Sequence, residues 1–178
     1  MNPDNPNQYR LDDEWRDLEV GEVKLKLKLW GFIPWSVKRE VLRSVHGPAL
    51  RTEHGVYAIR YAGIDEMKQV EQWLAMNKAK NFEEWTAAVA LNHIQSFNFV
   101  YANRHGDIHF IHNAQLPVRA PGWNWQQYLP GDRSDLIWQR YHPTSALPQV
   151  TNPASGFVHS ANQTPFNITE PEDNPQPS

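Results

Sequence analysis

The 178-residue sequence predicts an α+β fold, in which strands come first, two helices follow, and a β-hairpin leads into a long irregular loop. Three observations predict this order. Apolar and basic residues alternate near the N-terminus, and apolar residues at helical spacings follow from residue 65. Two further alternating runs then flank a glycine-containing turn, and ten of the fourteen prolines lie at or after Pro117.

The composition is that of a globular protein, and it excludes several kinds of site. Hydrophobic residues make up 40% and charged residues 21% of the chain. The net charge of −3 argues against a nucleic-acid partner, and no apolar run is long enough for a membrane span. The absence of cysteine excludes disulfides, thiolate zinc sites and cysteine nucleophiles. The first ten residues have no apolar core, so we expect no secretory signal in this chain.

The first strand is predicted where the apolar residues from Val23 to Leu29 alternate with Lys24, Lys26 and Lys28. Period two gives a strand with one basic face and one apolar face, whereas a helix would scatter the leucines around its axis. A cationic membrane-binding segment is the alternative interpretation. Two more strands are expected over 39–45 and 55–61, with a turn at His46-Gly47-Pro48 between them.

Two helices and a hairpin follow. Apolar spacing predicts a helix over 65–76, and Asn81 with Glu84 three residues later has the capping-box pattern of a second helix start. Alternating runs over 97–101 and 108–112, joined by a turn at 104–107, predict a β-hairpin.

Composition divides the chain into four segments. Residues 1–19 are predicted to be an N-terminal lead-in, and residues 20–116 the α+β body. Residues 117–168 are expected to be an extended proline-rich loop of the same domain, and residues 169–178 a disordered tail.

Two polar residues are candidates for the site. Asn98 alternates with aromatic residues, so its amide faces away from them and either meets solvent or donates to an oxyanion. Arg119 follows Pro117 and is either a surface arginine or, if buried, a clamp for a carbonyl or carboxylate. His105, His109 and His112 do not converge, because 109 and 112 have opposite parity on a strand. We therefore predict no metal site there, and a hydrogen-bonding turn role for His46.

Five stretches occur in the order found in one enzyme family: REVLRSVHGPALRT, GVYAIRYAG, NKAKNFEEWTAAVA, SFNFVYANRHGDIHFIHNAQLPVR and NPASGFVHSANQTP. Over about residues 20–167 the sequence resembles the penicillin amidase (penicillin acylase) family, with its acyl-homoserine-lactone and aculeacin-type acylases. The resemblance implies a partial αββα sandwich of the N-terminal nucleophile hydrolase class, here an internal fragment of the β subunit. It implies hydrolysis of a linear amide through an acyl-enzyme, releasing the acyl side chain of a β-lactam, homoserine lactone or lipopeptide amine.

The resemblance also assigns residues and partners. It implies that Asn98 is the oxyanion-hole asparagine and that Arg119 orients it. The expected partners are the remainder of the β subunit, an α subunit cut from the same precursor, and a small acyl-amide substrate. The intact precursor is expected to be periplasmic or secreted. No cofactor is expected to be required, and a structural calcium is left open for the complete enzyme, with Asp107 the nearest candidate.

One departure from the family concerns the nucleophile, which in the family is a serine at the start of the β subunit. This sequence begins Met1-Asn2-Pro3 and supplies no such serine, so the chain is expected to be inactive alone and marginally stable or self-associating. The alternative function is a non-catalytic, tryptophan-rich module in which Trp123, Trp125 and Trp138 bind a sugar or another flat ligand.

Overall fold

The computed structural model describes residues 1–64 and 66–176, which form two compact units. Unit 1 comprises residues 1–61 and 119–138, while unit 2 runs from 62 to 118 and resumes at 139. Strands and two α-helices make up the regular structure of the described part, so the predicted α+β class is confirmed. Within these described ranges, no helix is long and apolar enough to cross a membrane.

The described residues of unit 1 form two antiparallel sheets. Within each of these sheets every strand pairs with its neighbour in the sequence, so the connections inside a sheet are hairpins. The two-stranded sheet contains β1 (Gln8–Leu11) and β2 (Glu14–Asp17), and the four-stranded sheet contains β3 (Glu19–Leu29), β4 (Ile33–Ser44), β5 (Gly47–Thr52) and β6 (Gly55–Ala58). The predicted lead-in of residues 1–19 therefore includes the β1–β2 hairpin and the first residue of β3.

The predicted first strand is confirmed, but its apolar face is not buried. β3 pairs with β4 along its whole length, and this pairing starts β4 at Ile33 rather than at the predicted residue 39. Only the last three residues of β4 also pair with β5. Leu25 and Leu27 consequently stay 45% and 46% exposed.

The predicted turn at His46-Gly47-Pro48 is right for His46 and wrong for the other two residues. The chain turns at Val45 and His46, and Gly47 already pairs with Ser44 as the first residue of β5. Gly47 has a φ of 131°, a conformation that side chains with a Cβ rarely adopt. The strand predicted over 55–61 ends at residue 58 as β6.

Unit 2 is built on a three-stranded antiparallel sheet in which β8 (Ile108–Ala114) lies between β7 (Ser96–Ala102) and β9 (Gln149–Thr151). The predicted hairpin is confirmed, and residues 103–107 connect its strands. β9 was not predicted because its three residues are too few for alternation to be recognised.

The two predicted helices are present with shifted ends. α1 spans Gln69–Lys78 and α2 spans Phe82–Val89. The predicted start of the first helix at Asp65 lies outside the described residues. Asn81 caps α2 as predicted, because its Oδ1 accepts from the backbone N–H of Glu84 at 2.8 Å.

The core of unit 2 lies between the helices and the odd-numbered residues of β7 and β8. Trp85 of α2 meets Phe99 edge-on and lies 4.8 Å from the ring of Tyr101. Trp73 of α1 makes an edge contact with Phe99 at 5.3 Å. Period two in the strands and helical spacing in α1 and α2 therefore bring their apolar faces together.

The buried side-chain amide of Gln72 stabilises this core through hydrogen bonds. Gln72 is fully buried, and its Oε1 accepts from the backbone N–H groups of His93 and Ile94 at 2.7 and 2.9 Å. Its Nε2 donates to the carbonyl oxygen of Val89 and to Oδ1 of Asn113, at 3.2 and 2.7 Å. One side chain thus ties α1 to the end of α2, to the segment that follows it, and to β8.

Residues 119–138 of the proline-rich region belong to unit 1, and residues from 139 onward belong to unit 2. The disordered tail over 169–178 stays a prediction, and the described residues of that segment make local hydrogen bonds. Thr169 is buried, and Oδ1 of Asn174 accepts from the backbone N–H groups of Ile168 and Thr169 at 2.8 and 3.2 Å. Residues 177 and 178 lie outside the described part.

Replacing Gln72 by Met keeps the length of the side chain and removes its amide. We expect the free energy of unfolding to fall by about 3 kcal/mol or more, because several buried groups lose their partner. Denaturant unfolding measures this change. The exposed Gln69 in the same helix is the control, and Gln69→Met should change stability by less than about 0.5 kcal/mol. Equal losses in the two variants would contradict the role of Gln72.

Candidate functional site

Asn98 lies on the face of β7 that points away from the helices, as its alternation with Phe97 and Phe99 predicts. It is half-buried, and its Oδ1 lies 2.7 Å from Nδ1 of His112, the residue opposite it on β8. Its Nδ2 donates to the carbonyl oxygen of Gln163 at 3.3 Å. Both ends of the amide therefore have partners within unit 2.

The carbonyl oxygen of Gln163 fixes which way the amide faces, because it can only accept and therefore needs the nitrogen of Asn98. Burial lowers the pKa of His112, so the ring is neutral at pH 7. The oxygen of Asn98 only accepts, so Nδ1 of His112 must carry the proton and donate it. The nitrogen of Asn98 then faces the 162–164 loop. This pair could have been predicted from the hairpin. Residues 102 and 108 flank the 103–107 turn as partners, and four residues further along each strand residue 98 lies opposite residue 112.

The loop that meets Asn98 is held by its own side chains. Nε2 of Gln163 donates to the carbonyl oxygens of Asn167 and His159, at 2.9 and 3.3 Å. Asn162, the preceding residue, has a φ of 60°, a left-handed conformation uncommon for residues other than glycine. Asn98 therefore bonds to a loop with a constrained backbone.

Arg119 lies in unit 1, so the structure describes it apart from Asn98, and the predicted contact between the two stays a prediction. Its side chain is exposed rather than buried. The guanidinium carbon lies 5.5 Å from the ring centre of Trp125 and 5.8 Å from that of Trp138. Arg119 therefore takes part in an arginine–tryptophan cluster in the loop of unit 1.

The same cluster borders a cavity of about 770 Å³ within unit 1. Arg60 also contacts Trp138, and its guanidinium carbon lies 5.5 Å from the centre of the Trp138 ring. Nε of Arg60 and Nε1 of Trp138 are buried and have no hydrogen-bond partner among the described residues. The aromatic lining comprises Tyr9, Trp15, Tyr57, Trp125, Tyr128 and Trp138. An aromatic lining together with two buried donors that have no partner makes this cavity a candidate ligand site.

Three of the eight histidines, His46, His109 and His112, have structural surroundings. Nε2 of His46 lies 3.0 Å from the carbonyl oxygen of Gly131, which agrees with the predicted hydrogen-bonding turn role. His109 is 2% exposed and bonds to Oγ1 of Thr151, and burial lowers its pKa to about 4. His109 and His112 occupy opposite faces of β8, as their parity predicts.

Asp107, the calcium candidate, serves the hairpin turn. Its two carboxylate oxygens accept from the side-chain amides of Asn103 and Asn152, at 2.7 and 3.3 Å. These bonds lower its pKa. Amide donors on both oxygens do not fit a metal ligand, and the described residues contain no group of three His, Asp or Glu side chains that could hold an ion. Asp107 therefore acts here as a hydrogen-bond acceptor of the turn, and a calcium site in a complete enzyme stays a prediction.

Comparison with known proteins decides the family. The sequence model of the family described as Penicillin amidase matches residues 1–176. The chain belongs to the penicillin amidase family. Penicillin G acylase of Escherichia coli is 32% identical to it over 172 residues, which cover 93% of this chain and 19% of that protein. The resemblance inferred from the ordered motifs is thereby confirmed.

A solved penicillin amidase relative has the same fold. The thermostable penicillin G acylase from Alcaligenes faecalis superposes with a TM-score of 0.76 at 26% identity, over 97% of this chain and 31% of that one. The α+β arrangement is thus that of part of a penicillin acylase, an N-terminal nucleophile hydrolase. The chain spans about a fifth of the length of the curated relative and about a third of the solved chain.

Proposed function

We propose that residues 1–178 form part of an amidase-type acylase that hydrolyses a linear amide through an acyl-enzyme. The observation that supports this most is the agreement of sequence and fold over almost the whole chain, from residue 1 to residue 176. The substrate class is an acyl side chain joined to the amine of a β-lactam, a homoserine lactone or a lipopeptide.

The rest of the catalytic machinery belongs to other parts of the acylase. Relatives of this chain are several times longer than 178 residues. We propose that the nucleophile, the remaining β subunit and an α subunit from the same precursor complete the site in a periplasmic or secreted enzyme. Residues 1–178 alone are then inactive.

Asn98 is the proposed oxyanion donor of this acylase. When the nucleophile attacks the substrate carbonyl, negative charge develops on the oxygen, and a positioned N–H stabilises it. The bond from His112 holds the oxygen end of Asn98, so the nitrogen end is oriented before substrate binds. The bond to Gln163 uses one of its two N–H groups and leaves the second for another acceptor. Arg119 is the proposed orienting arginine.

The same contacts give Asn98 a second role. Its bond to Gln163 holds the loop in which Asn162 has a positive φ. A side chain that braces a constrained loop affects substrate binding through that loop, whereas an oxyanion donor acts on the transition state. The two roles therefore differ in the kinetic parameter that they change.

A second candidate function is a ligand-binding module in unit 1. The observation that favours it is the cavity bordered by Trp125 and Trp138, whose rings lie 6.2 Å apart. Unsatisfied donors on Arg60 and Trp138 would bind an acceptor on a flat ligand such as a sugar. Trp123, the third tryptophan of the prediction, packs instead against Arg133 at 5.4 Å.

We expect Asn98→Ala in a complete acylase that contains this segment to lower kcat by about 100-fold or more, with KM changed less than about twofold. The loss of a transition-state donor is the reason. Steady-state hydrolysis of a phenylacetyl amide measures both constants. Asn77→Ala, at an exposed position of α1, is the matched control and should leave both unchanged. A raised KM with unchanged kcat would leave Asn98 with only its bracing role.

We expect Trp138→Leu in the 178-residue chain to abolish any saturable change in tryptophan fluorescence caused by an oligosaccharide, because Trp138 supplies both a ring and a donor to the cavity. Trp73→Phe, in unit 2, is the control and should keep the response. Titration with oligosaccharides and with acyl amides distinguishes the two functions. No saccharide response in the unsubstituted chain would contradict the module.

A further inference from the structure

β3 and β4 form a two-stranded ribbon that extends past the rest of the sheet. Their register pairs residue 19 with residue 43 and residue 29 with residue 33. β5 pairs with β4 only at residues 42–44, so among the described residues no third strand joins the ribbon from residue 41 to its tip. A two-stranded ribbon is marginally stable in water unless one face packs on something. We therefore expect another surface to cover one face of this ribbon.

The two faces of the ribbon differ in chemistry. Directly opposed residues share a face, so Leu25 lies beside Val37 and Leu27 beside Trp35 on the odd-numbered face. The opposite face presents Lys24, Lys26 and Lys28. None of these three lysines has a carboxylate within salt-bridge distance among the described residues, whereas Lys38 on the same face pairs with Glu22 at 2.8 Å. Every apolar side chain of the odd-numbered face from 23 to 35 is partly exposed: Val23, Leu25, Leu27, Leu29, Ile33 and Trp35.

The tip of the ribbon carries two large aromatic rings. The turn consists of residues 30–32, and Trp30 and Phe32 are 84% and 75% exposed. Trp30 and Gly31 have φ values of 50° and 83°, so both central residues of the turn are left-handed, as in a type I′ hairpin turn. Asparagine, aspartate or glycine is the usual first residue of such a turn, and a tryptophan there exposes a large ring that is available for binding.

We propose that the tip of this ribbon inserts into the surface of an anionic lipid membrane. Trp30 and Phe32 enter the boundary between headgroups and acyl chains, where amphipathic aromatic rings are favoured. Lys26 and Lys28 bind the phosphates of the headgroups. The proposal concerns where the protein is held and is independent of amide hydrolysis.

The spacing along the strand fits this arrangement. Each residue of a strand advances the chain by about 3.3 Å, so Lys28 lies roughly 7 Å and Lys26 roughly 13 Å behind Trp30. Interfacial segments bury their apolar face by about 5–10 Å, which brings both lysines to the level of the headgroups. Their flexible stems extend along the apolar neighbours and keep the ammonium groups in water.

The charge distribution favours lipid over a second copy of this chain at the strand edge. Edge pairing through β3 would bring the two lysine rows together, and lysines on an edge strand oppose such pairing. The net charge of −3 does not prevent binding to an anionic surface, because at physiological salt a charge acts over only about 8 Å. Within that distance the tip presents lysines alone.

The test is sedimentation of the 178-residue chain with vesicles of phosphatidylglycerol and phosphatidylcholine, compared with vesicles of phosphatidylcholine alone. We expect binding to the anionic vesicles and a blue shift of tryptophan emission. We also expect release in about 1 M salt, which shortens the Debye length to about 3 Å. K24Q/K26Q/K28Q should bind roughly 25-fold more weakly, since Lys26 and Lys28 each contribute about fivefold near anionic headgroups. W30S/F32S should lose the blue shift and most of the binding.

The control is K68Q/K78Q/K80Q, which removes the same charge from exposed positions outside the ribbon and should bind like the unsubstituted chain. Equal losses in the two lysine variants would overturn the proposal, because only net charge would then matter. Unchanged binding by W30S/F32S would also overturn it.

A dimer that W30S/F32S converts to a monomer, without vesicle binding, would identify a second copy as the occupant. Vesicle binding that disappears in a longer protein containing this segment would identify the rest of the acylase instead.

Discussion

The alternation of side chains along β7 and β8 is the constraint on which unit 2 depends. Odd-numbered residues of both strands turn to the helices, and there Phe99 and Ile111 join the apolar core with Trp85. Even-numbered residues turn the opposite way, so Asn98 and His112 meet on a face that the helices do not cover. A register shift of one residue would bury this polar pair and expose the aromatic rings. The same packing that stabilises the sheet therefore orients the candidate site.

The two units differ in how they satisfy their polar groups. In unit 2, the amides of Gln72 and Asn98 each have a donor at the oxygen end and an acceptor at the nitrogen end. In unit 1, the described residues offer no hydrogen-bond partner to Nε of Arg60 or Nε1 of Trp138, and the apolar face of the β3–β4 ribbon stays exposed. Unsatisfied groups of this kind are expected in a chain that matches only a fifth of a relative's length.

Long periodic patterns were predictable from the sequence. Very short strands and contacts between residues far apart in the sequence were not. The Lys–Leu alternation predicted β3, and Asn81 with Glu84 predicted the start of α2, because both signals are local. β9 has three residues and forms only by pairing with β8, so no local pattern marks it. The clustering of Arg60 with Trp138 joins residues far apart in sequence, and only folding brings them together. The roles of Asn98 and Arg119 came from resemblance and still stand as predictions.

We propose that this segment belongs to an acylase whose nucleophile lies elsewhere in the enzyme. The decisive measurement is peptide mass spectrometry of a complete acylase containing the segment, quenched soon after mixing with a phenylacetyl ester. We expect an acyl adduct on a peptide outside the 178 residues and none within them. A stoichiometric adduct on a serine or threonine inside these residues would contradict it.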